Sequence, residues 1–186
     1  MNLMELYCYN NKATCLKFLS TLYKLEVKSI VEIGVWQGNH AFFLHNLFPE
    51  ADLYLVDPWK PTEYYLENGH SPGTSDQDFQ EAYESTLKFF KDSPNTTILR
   101  DTSLNAAPKV PDNIDLVFID ASHDYKSVKE DILTWKDKVR PGGLLSGHDY
   151  DPKFPGVIQA VDECLGSNFS MTADSVWYTF KEPPSL

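Results

Sequence analysis

The sequence has few cysteines and few positive charges, and both shortages limit the classes of function that it can have. Its three cysteines, Cys8, Cys15 and Cys164, are an odd number without metal-type spacing, so we expect them to be reduced residues of the core. Lysine and arginine together number 16 against 27 aspartates and glutamates, which gives a net charge of −11 at pH 7. Because this charge repels a nucleic-acid backbone, we expect a small-molecule partner and no nucleic acid.

Long apolar runs are also missing. No stretch approaches the roughly 18 uninterrupted apolar residues of a membrane span. The N-terminus lacks the basic start and apolar core of a signal peptide. We therefore expect a cytoplasmic protein with no membrane partner. The sequence leaves the oligomeric state open, and a homodimer is one arrangement that it allows.

What the sequence does contain is an ordinary globular composition. Its 186 residues, 42% hydrophobic and 23% charged, suit a single domain over 1–186 that buries most of its unfolded-state surface. Within it we predict an N-terminal helical segment over 1–28 and a loop insertion over 58–75, rich in proline, glycine, tyrosine and asparagine. The part of that loop at 58–74 is predicted to be a mobile lid or rim of a binding site.

Helical and strand patterns alternate along the chain. Apolar residues recur at helical spacing in five segments, and short β-branched runs separate them. The predicted strands are 30–35, 51–57, 96–100, 114–121, 144–147, 169–172 and 176–180. This order predicts an α/β fold: a doubly wound, Rossmann-like sheet of seven strands, mostly parallel, with helices on both faces and a C-terminal antiparallel hairpin. The continuous apolar run at 114–121 predicts a central strand covered on both faces.

Local signals place several helix boundaries. The first helix shows one apolar stripe, formed by Cys15, Phe18, Leu19 and Leu22. Asn39 is expected near the N-cap of the second helix, and Ser75 with Asp78 resembles a capping box. Pro141-Gly-Gly is expected to end a helix and start the strand at 144.

An acidic residue lies at or near the carboxyl end of each of the first five predicted strands. These residues are Glu32 in the run Glu32-x-Gly34-x-x-x-Gly38, then Asp57, Asp101 before Thr102, Asp120 three residues before His123, and Asp149 after His148. In a doubly wound sheet, ligands bind beyond the carboxyl ends of the strands, near the point where the winding reverses. Any one of these carboxylates could simply cap a helix or a turn, but five at the same edge indicate a functional site.

The glycine pattern of the first loop excludes two classes of ligand. The spacing Gly-x-Gly-x-x-Gly of a dinucleotide site is absent, and so is the Gly-x-x-x-x-Gly-Lys loop of a nucleoside triphosphate site. Gly34 and Gly38 instead let the backbone approach a ligand, while Asp57 is placed to accept hydrogen bonds from two ribose hydroxyls. These features predict a nucleoside without phosphate groups. The part of it that contacts the carboxylates should be neutral or cationic.

Together these residues resemble the class I S-adenosylmethionine-dependent methyltransferases. The stretches Asp120-Ala-Ser-His-Asp-Tyr and Pro141-Gly-Gly-Leu-Leu-Ser-Gly-His-Asp are similar to the small bacterial branch related to the macrocin-type and catechol-type O-methyltransferases. The resemblance covers about residues 29–180 and rests on motifs that are specific as a set, each weak alone. It implies an enzyme that uses S-adenosylmethionine to methylate a hydroxyl of a small molecule.

The resemblance also assigns the residues that hold this cofactor. The implied cofactor-binding residues are Glu32, Gly34 and Gly38 at the methionine part, Asp57 at the ribose, Asp101 and Thr102 beside the adenine, and Asp120 at the reactive end. The carboxylates of this set would face the cationic sulfonium and the ribose hydroxyls.

A divalent metal is the second cofactor that the resemblance raises. In related metal-dependent O-methyltransferases, the positions of Asp120, His148 and Asp149 hold the ligands of a metal, which here would be magnesium or manganese. Those relatives usually have Asp and Asn at the last two positions, and an imidazole is softer than magnesium prefers, which shifts the expectation toward manganese, iron or zinc. The alternative is that His148 only orients Asp149 or the substrate through a hydrogen bond.

The implied catalytic residues are Asp120, His123 and His148. His123 stands where several relatives carry a lysine general base, and an imidazole could take a hydroxyl proton there because it titrates near neutral pH. His148 is the competing base, and a bound metal could instead activate the hydroxyl directly. Two other functions stay open: a module that binds the cofactor without turnover, and a metal-dependent hydrolase that uses Asp120, His123, His148 and Asp149.

Overall fold

The computed structural model describes residues 3–61, 73, 75–172 and 174–182, without the side chains of 3–8. The helices are α1 (Leu3–Leu22), α2 (Asn39–Leu47), α3 (Asp76–Phe90), α4 (Ser103–Ala106), α5 (Tyr125–Lys138) and α6 (Pro155–Leu165), and a 3₁₀ turn covers Ala107–Lys109. The strands are β1 (Ser29–Ile33), β2 (Asp52–Asp57), β3 (Thr96–Arg100), β4 (Ile114–Ile119), β5 (Val139–Gly147), β6 (Ser170–Met171) and β7 (Trp177–Phe180). None of the helices described is long and apolar enough to cross a membrane.

The strands form one sheet in the order β3-β2-β1-β4-β5-β7-β6. β1 pairs in parallel with β2 and β4, β2 with β3, and β4 with β5, whereas β7 is antiparallel to both β5 and β6. This arrangement confirms the predicted α/β fold with a mostly parallel, seven-stranded sheet and a C-terminal antiparallel pair. The winding reverses between β1 and β4, so a crevice forms beyond their carboxyl ends.

β4 is a central strand, and all six of its residues are buried. Successive side chains of a strand point to opposite faces of the sheet. Leu116 and Phe118 accordingly join the core beneath α1, α2 and α3, whereas Val117 and Ile119 join the core beneath α5 and α6. The prediction of a strand covered on both faces is confirmed.

The buried face of α1 differs from the predicted stripe. Leu19 is buried, but Phe18 and Leu22 are 62% and 52% exposed, so the prediction was wrong at those two residues. The helix instead buries Lys12, Leu16 and Leu19, which succeed one another at the four- and three-residue spacing of one helix face. The apolar pattern selected the wrong face because a charged residue lies on the correct one.

Two helix starts test the capping predictions. The capping box of α3 is confirmed: the Ser75 hydroxyl accepts from the Asp78 amide at 3.2 Å, and the Asp78 carboxylate accepts from the Ser75 amide at 2.9 Å. The N-cap of α2 is Gly38 and Asn39 is the first residue of the helix, so the prediction that Asn39 lies near the N-cap is confirmed. Gly38 has a φ of 79°, and a Cβ there would lie 3.0 Å from the Thr86 hydroxyl oxygen, so the position requires glycine.

β5 begins at Val139, earlier than the predicted start at 144. Its register against β4 shifts between the pairs Ile114–Val139 and Leu116–Leu144. Pro141-Gly-Gly therefore forms an irregularity inside the strand instead of preceding it. The short helix α4 and the 3₁₀ turn after it were not predicted from the sequence.

Two further expectations are tested only in part. Cys15 and Cys164 are free thiols, as predicted, but both are half-buried rather than enclosed in the core. Of the loop insertion at 58–75, only 58–61, 73 and 75 are described, and the rest of the predicted lid or rim lies outside the described residues.

Candidate active site

A cavity of about 630 Å³ opens at the carboxyl ends of β1, β2, β4 and β5. It brings together eight of the ten predicted site residues, namely Glu32, Gly34, Asp57, Thr102, Asp120, His123, His148 and Asp149. In the described part of the chain, Gly38 and Asp101 are not among the lining residues. Gly38 lies against Thr86 of α3, and Asp101 pairs with Lys109 at 2.6 Å.

β1 and β4 approach each other closely at the floor of this cavity. A Cβ on Gly34 would lie 2.1 Å from the backbone oxygen of Asp120, and Gly34 has a φ of 87°. Any other residue would both clash and strain the backbone. The freedom of this glycine therefore serves the contact between the two strands, and because Gly34 also lines the cavity, its predicted approach to a ligand stays a prediction.

A buried ion pair joins α1 to the end of β4. Lys12 Nζ lies 2.7 Å from Asp120 Oδ2, and the two side chains are 8% and 18% exposed. Burial alone would lower the pKa of Lys12, but attraction to Asp120 raises that pKa above its ordinary value, so the ammonium stays charged. Burial likewise opposes ionisation of Asp120, yet Lys12 and His148 hold its pKa below the usual range.

Asp149 connects the two histidines of the site. His123 Nε2 lies 2.7 Å from Asp149 Oδ2, and His148 Nδ1 lies 2.9 Å from Asp149 Oδ1. The same His148 nitrogen is 3.7 Å from Asp120 Oδ1. Burial would raise the pKa of Asp149, but the two histidines hold it far below its ordinary value. Burial would lower the pKa of His148, and the attraction of Asp120 and Asp149 raises it instead.

The surroundings fix the orientation of this group. The His123 ring stacks on Phe154, with ring centroids 4.3 Å apart. Asp149 has a φ of 60°, a left-handed conformation that residues other than glycine adopt only occasionally. In this conformation the Asp149 carboxylate contacts both imidazoles.

Glu32 on β1 and His40 on α2 form a second buried pair, 1% and 3% exposed. His40 Nδ1 lies 3.3 Å from Glu32 Oε1. Burial lowers the pKa of His40 to about 3 and raises the pKa of Glu32 well above its ordinary value. The contact is therefore a hydrogen bond to a neutral imidazole and not an ion pair. Glu32 Oε2 and His40 Nε2 have no hydrogen-bond partner among the described residues, and both residues line the cavity.

Asp57 holds the turn that follows β1. Its Oδ2 accepts hydrogen bonds from the amides of Val35 at 3.0 Å and Trp36 at 2.9 Å, and its Oδ1 accepts from the amide of Trp59 at 2.6 Å. A carboxylate has about four acceptor positions. These bonds leave about one position for a ribose hydroxyl, where the sequence argument expected two hydroxyls to bind. Burial raises the pKa of Asp57 even though the three amides oppose that rise.

Sequence reasoning missed several residues of the cavity. They are Tyr9, Lys12, Trp36, His40, Phe79 and Asp131. Two of them carried a readable signal, because Lys12 and Asp131 are charged residues within the otherwise mostly apolar buried faces of their helices. Asp131 follows Val128 by three residues and precedes Trp135 by four, and all three are buried. A charge in such a stripe indicates a partner or ligand across the fold.

The geometry tests the metal prediction. In the described part of the chain, donor atoms of Asp120, His123 and Asp149 lie within 4.8 Å of one another, so the structure favours His123 over the predicted His148 as the third ligand. As arranged, the set does not fit a divalent ion. The Lys12 ammonium is already bonded to Asp120 and would repel a second cation, and both oxygens of Asp149 accept from histidines.

Comparison with known proteins identifies the family. A family model described as a methyltransferase domain matches residues 31–150, more than half of the chain. The chain belongs to the class I S-adenosylmethionine-dependent methyltransferases. The match begins within β1 and ends just beyond β5. It therefore contains the acidic strand ends of this methyltransferase domain, whereas α1 with Lys12 lies outside it.

Solved structures of other methyltransferases share the fold. The O-methyltransferase NovP superimposes with a TM-score of 0.67 at 15% identity, over 94% of this chain and 79% of that one. TomG from Streptomyces achromogenes is an O-methyltransferase involved in tomaymycin synthesis, solved in complex with S-adenosylmethionine. It superimposes with a TM-score of 0.62 at 16% identity, over 92% of this chain and 80% of that one. CalS11, a TDP-rhamnose 3'-O-methyltransferase of calicheamicin biosynthesis, superimposes with a TM-score of 0.58 at 17% identity, over 91% of this chain and 78% of that one. At these identities the likeness establishes the fold.

One curated relative is much longer than this methyltransferase domain. The uncharacterized protein y4gI of Sinorhizobium fredii is 24% identical over 140 residues, which cover 73% of this chain. The chain spans only 14% of the length of that relative. The domain thus corresponds to one portion of the longer protein.

Proposed function

We propose that the cavity binds S-adenosylmethionine and that the domain transfers its methyl group to a hydroxyl oxygen of a small molecule. The observation that carries this proposal is the half-buried acid–base cluster of Asp120, His148 and Asp149 at the carboxyl ends of β4 and β5. The cluster supplies a proton acceptor beside a cavity of suitable size. The shared fold of the O-methyltransferases NovP and TomG supports oxygen as the target.

The cofactor end of the cavity lies along β1 and β2. Glu32 Oε2 and His40 Nε2 are buried polar atoms whose hydrogen-bonding capacity is unused within the described residues, and such atoms usually find a partner. We assign them to the methionine part of the cofactor. The remaining acceptor position of Asp57 takes a ribose hydroxyl, and Thr102 lies on the adenine side.

The reaction requires a base and an aligned nucleophile. The hydroxyl of the methyl acceptor gives its proton to an imidazole nitrogen of His123 or His148. Its oxygen bonds to the methyl carbon while the carbon–sulfur bond breaks, and the electron pair of that bond stays on sulfur as neutral S-adenosylhomocysteine. Asp149 orients both imidazoles and stabilises the imidazolium that forms. Placement of the oxygen about 3 Å from the methyl carbon supplies much of the rate.

Calorimetry with S-adenosylmethionine and S-adenosylhomocysteine tests the cofactor site. We expect saturable binding by the wild-type protein. Asp57→Asn should weaken it by about 10- to 150-fold, corresponding to about 1.5–3 kcal/mol for a hydrogen bond to a charged group. Asp52→Asn is the matched control, because Asp52 is an exposed acid at the other end of the same strand. It should bind normally.

Each failure has a distinct meaning. If the wild-type protein binds neither nucleoside, the proposed function is wrong. If Asp57→Asn binds as tightly as the wild type, only the ribose assignment is wrong. Thermal melting of both variants checks that the turn held by Asp57 stays folded.

Turnover separates the proposal from the two alternatives. The family match favours methyl transfer over the metal-dependent hydrolase. A panel of sugars, catechols and hydroxy acids, assayed for S-adenosylhomocysteine formation, should contain a substrate. Normal cofactor binding with no turnover across the panel would favour the module that binds without reacting, and ester hydrolysis without S-adenosylmethionine would favour the hydrolase.

A further inference from the structure

Lys12 is a charged residue in an enclosed position. It lies on α1, 108 residues before Asp120 in the chain, yet it is only 7% exposed. Leu16 and Leu19, on the same face of the helix, are buried in the core shared with α2. The packing of α1 therefore fixes where the ammonium lies, 2.7 Å from Asp120 Oδ2.

The oxygens that a metal would use already have partners. Asp120 Oδ2 accepts from Lys12 Nζ. Asp149 Oδ2 contacts His123 Nε2 at 2.7 Å, and Asp149 Oδ1 contacts His148 Nδ1 at 2.9 Å. A divalent ion would have to displace these contacts beside a buried ammonium. Repulsion between like charges is strongest where water is excluded.

We propose that Lys12 is the resident cation of the Asp120–Asp149 cluster and takes the place of a divalent metal. The ammonium neutralises Asp120 from within the chain. The cluster becomes a divalent-ion site only when that ammonium is removed, because its two carboxylates and His123 are otherwise close enough to share an ion.

The proposal has a consequence for the reaction, which rests on the function proposed above. Methyl transfer then proceeds without a divalent ion. An ammonium has three N–H donors, and Asp120 uses one of those of Lys12. Among the residues that the structure describes, Lys12 Nζ has no second hydrogen-bond acceptor, so the other two donors would stabilise the oxygen of the methyl acceptor as its proton leaves.

Titration with Mn²⁺ alone, followed by the loss of the electron paramagnetic resonance signal of the free ion, tests the proposal. The wild-type protein should show no saturable binding below about 1 mM, and Lys12→Met should bind at least about tenfold more tightly. The double variant Lys12→Met/Asp120→Asn should lose that gain, because a carboxylate ligand is removed. Lys17→Met, on the same helix but with its ammonium 4.5 Å from the Phe48 ring centroid, should match the wild type.

Two results would overturn the proposal. One is saturable Mn²⁺ binding by the wild type that Asp120→Asn abolishes. The other is a folded Lys12→Met protein that binds Mn²⁺ no better than the wild type. If thermal melting shows that Lys12→Met does not fold, Lys12→Gln replaces it, because glutamine removes the charge while keeping a polar chain. The wild-type titration needs no variant to fold, so Mn²⁺ binding at Asp120 in the wild type would overturn the proposal in either case.

Failure of the proposed function gives a different result. A wild-type protein that binds no S-adenosylhomocysteine, while the Mn²⁺ titrations follow the expectation, would remove the proposed function and leave Lys12 as the resident cation.

Discussion

Asp131 offers a sharp test of how burial sets the charge of the cavity. Its side chain on α5 is 5% exposed, and it shares a hydrogen bond with the Ser103 side chain. The Ser103 hydroxyl also accepts from the Trp135 indole at 2.8 Å. Burial raises the pKa of Asp131 from 3.8 to about 7. The folded protein therefore keeps a proton that the unfolded chain releases, and the free energy of unfolding falls as pH rises from about 4 to about 7.

The size of the effect follows from the two pKa values. Their difference corresponds to about 4 kcal/mol at about 1.4 kcal/mol for each pH unit. Asp131→Asn removes the titration while keeping the shape of the side chain. As pH rises from 5 to 8, the wild type should lose about 3 kcal/mol of unfolding free energy that the variant does not lose. The difference between the variant and the wild type should therefore rise by about 3 kcal/mol over this range.

Urea denaturation of both proteins at several pH values measures this gain. Asp137→Asn is the control, because it removes an exposed carboxylate from the same helix that does not contribute to the pKa shift of Asp131, and its difference from the wild type should stay nearly constant. Parallel stability curves for Asp131→Asn and the wild type would refute the argument that burial keeps Asp131 protonated.

Two further predictions concern the backbone that supports the site. Gly34→Ala should lose more than about 3 kcal/mol of unfolding free energy or fail to fold, because its Cβ would meet the Asp120 backbone oxygen at 2.1 Å. Thermal melting measures this loss, and a loss below about 1 kcal/mol would contradict the close approach of β1 and β4. Ser75→Ala should cost about 1 kcal/mol because it removes the acceptor for the Asp78 amide, whereas Ser75→Asp should retain most of that stability.

The architecture was predictable because its signals are local and repeat along the chain. The apolar run that became β4 is buried at every residue, as a strand between two helical layers requires. The capping box of Ser75 and Asp78 depends on four consecutive residues and formed as predicted. The start of β5 was missed because the register shift around Pro141 depends on its pairing with β4.

The site was predictable only where strand order alone brings residues together. Carboxyl ends of parallel strands share one edge, so Asp57, Asp120 and Asp149 meet there whatever the helices do. Lys12 and Asp131 come from helices, and their burial depends on partners that lie far along the chain. Helical periodicity treats such a residue as an interruption of the apolar face, and for this reason α1 was assigned the wrong face.

Trp36 gives this molecule a built-in optical probe. The chain has four tryptophans; Trp59, Trp135 and Trp177 are at most 1% exposed, whereas Trp36 is half-buried and lines the cavity. Its ring meets Phe79 edge-on, with centroids 5.4 Å apart. A molecule entering the cavity changes the surroundings of this indole and leaves the other three enclosed. The change in intrinsic tryptophan fluorescence can therefore follow occupancy mainly through Trp36, in real time and at low protein concentration.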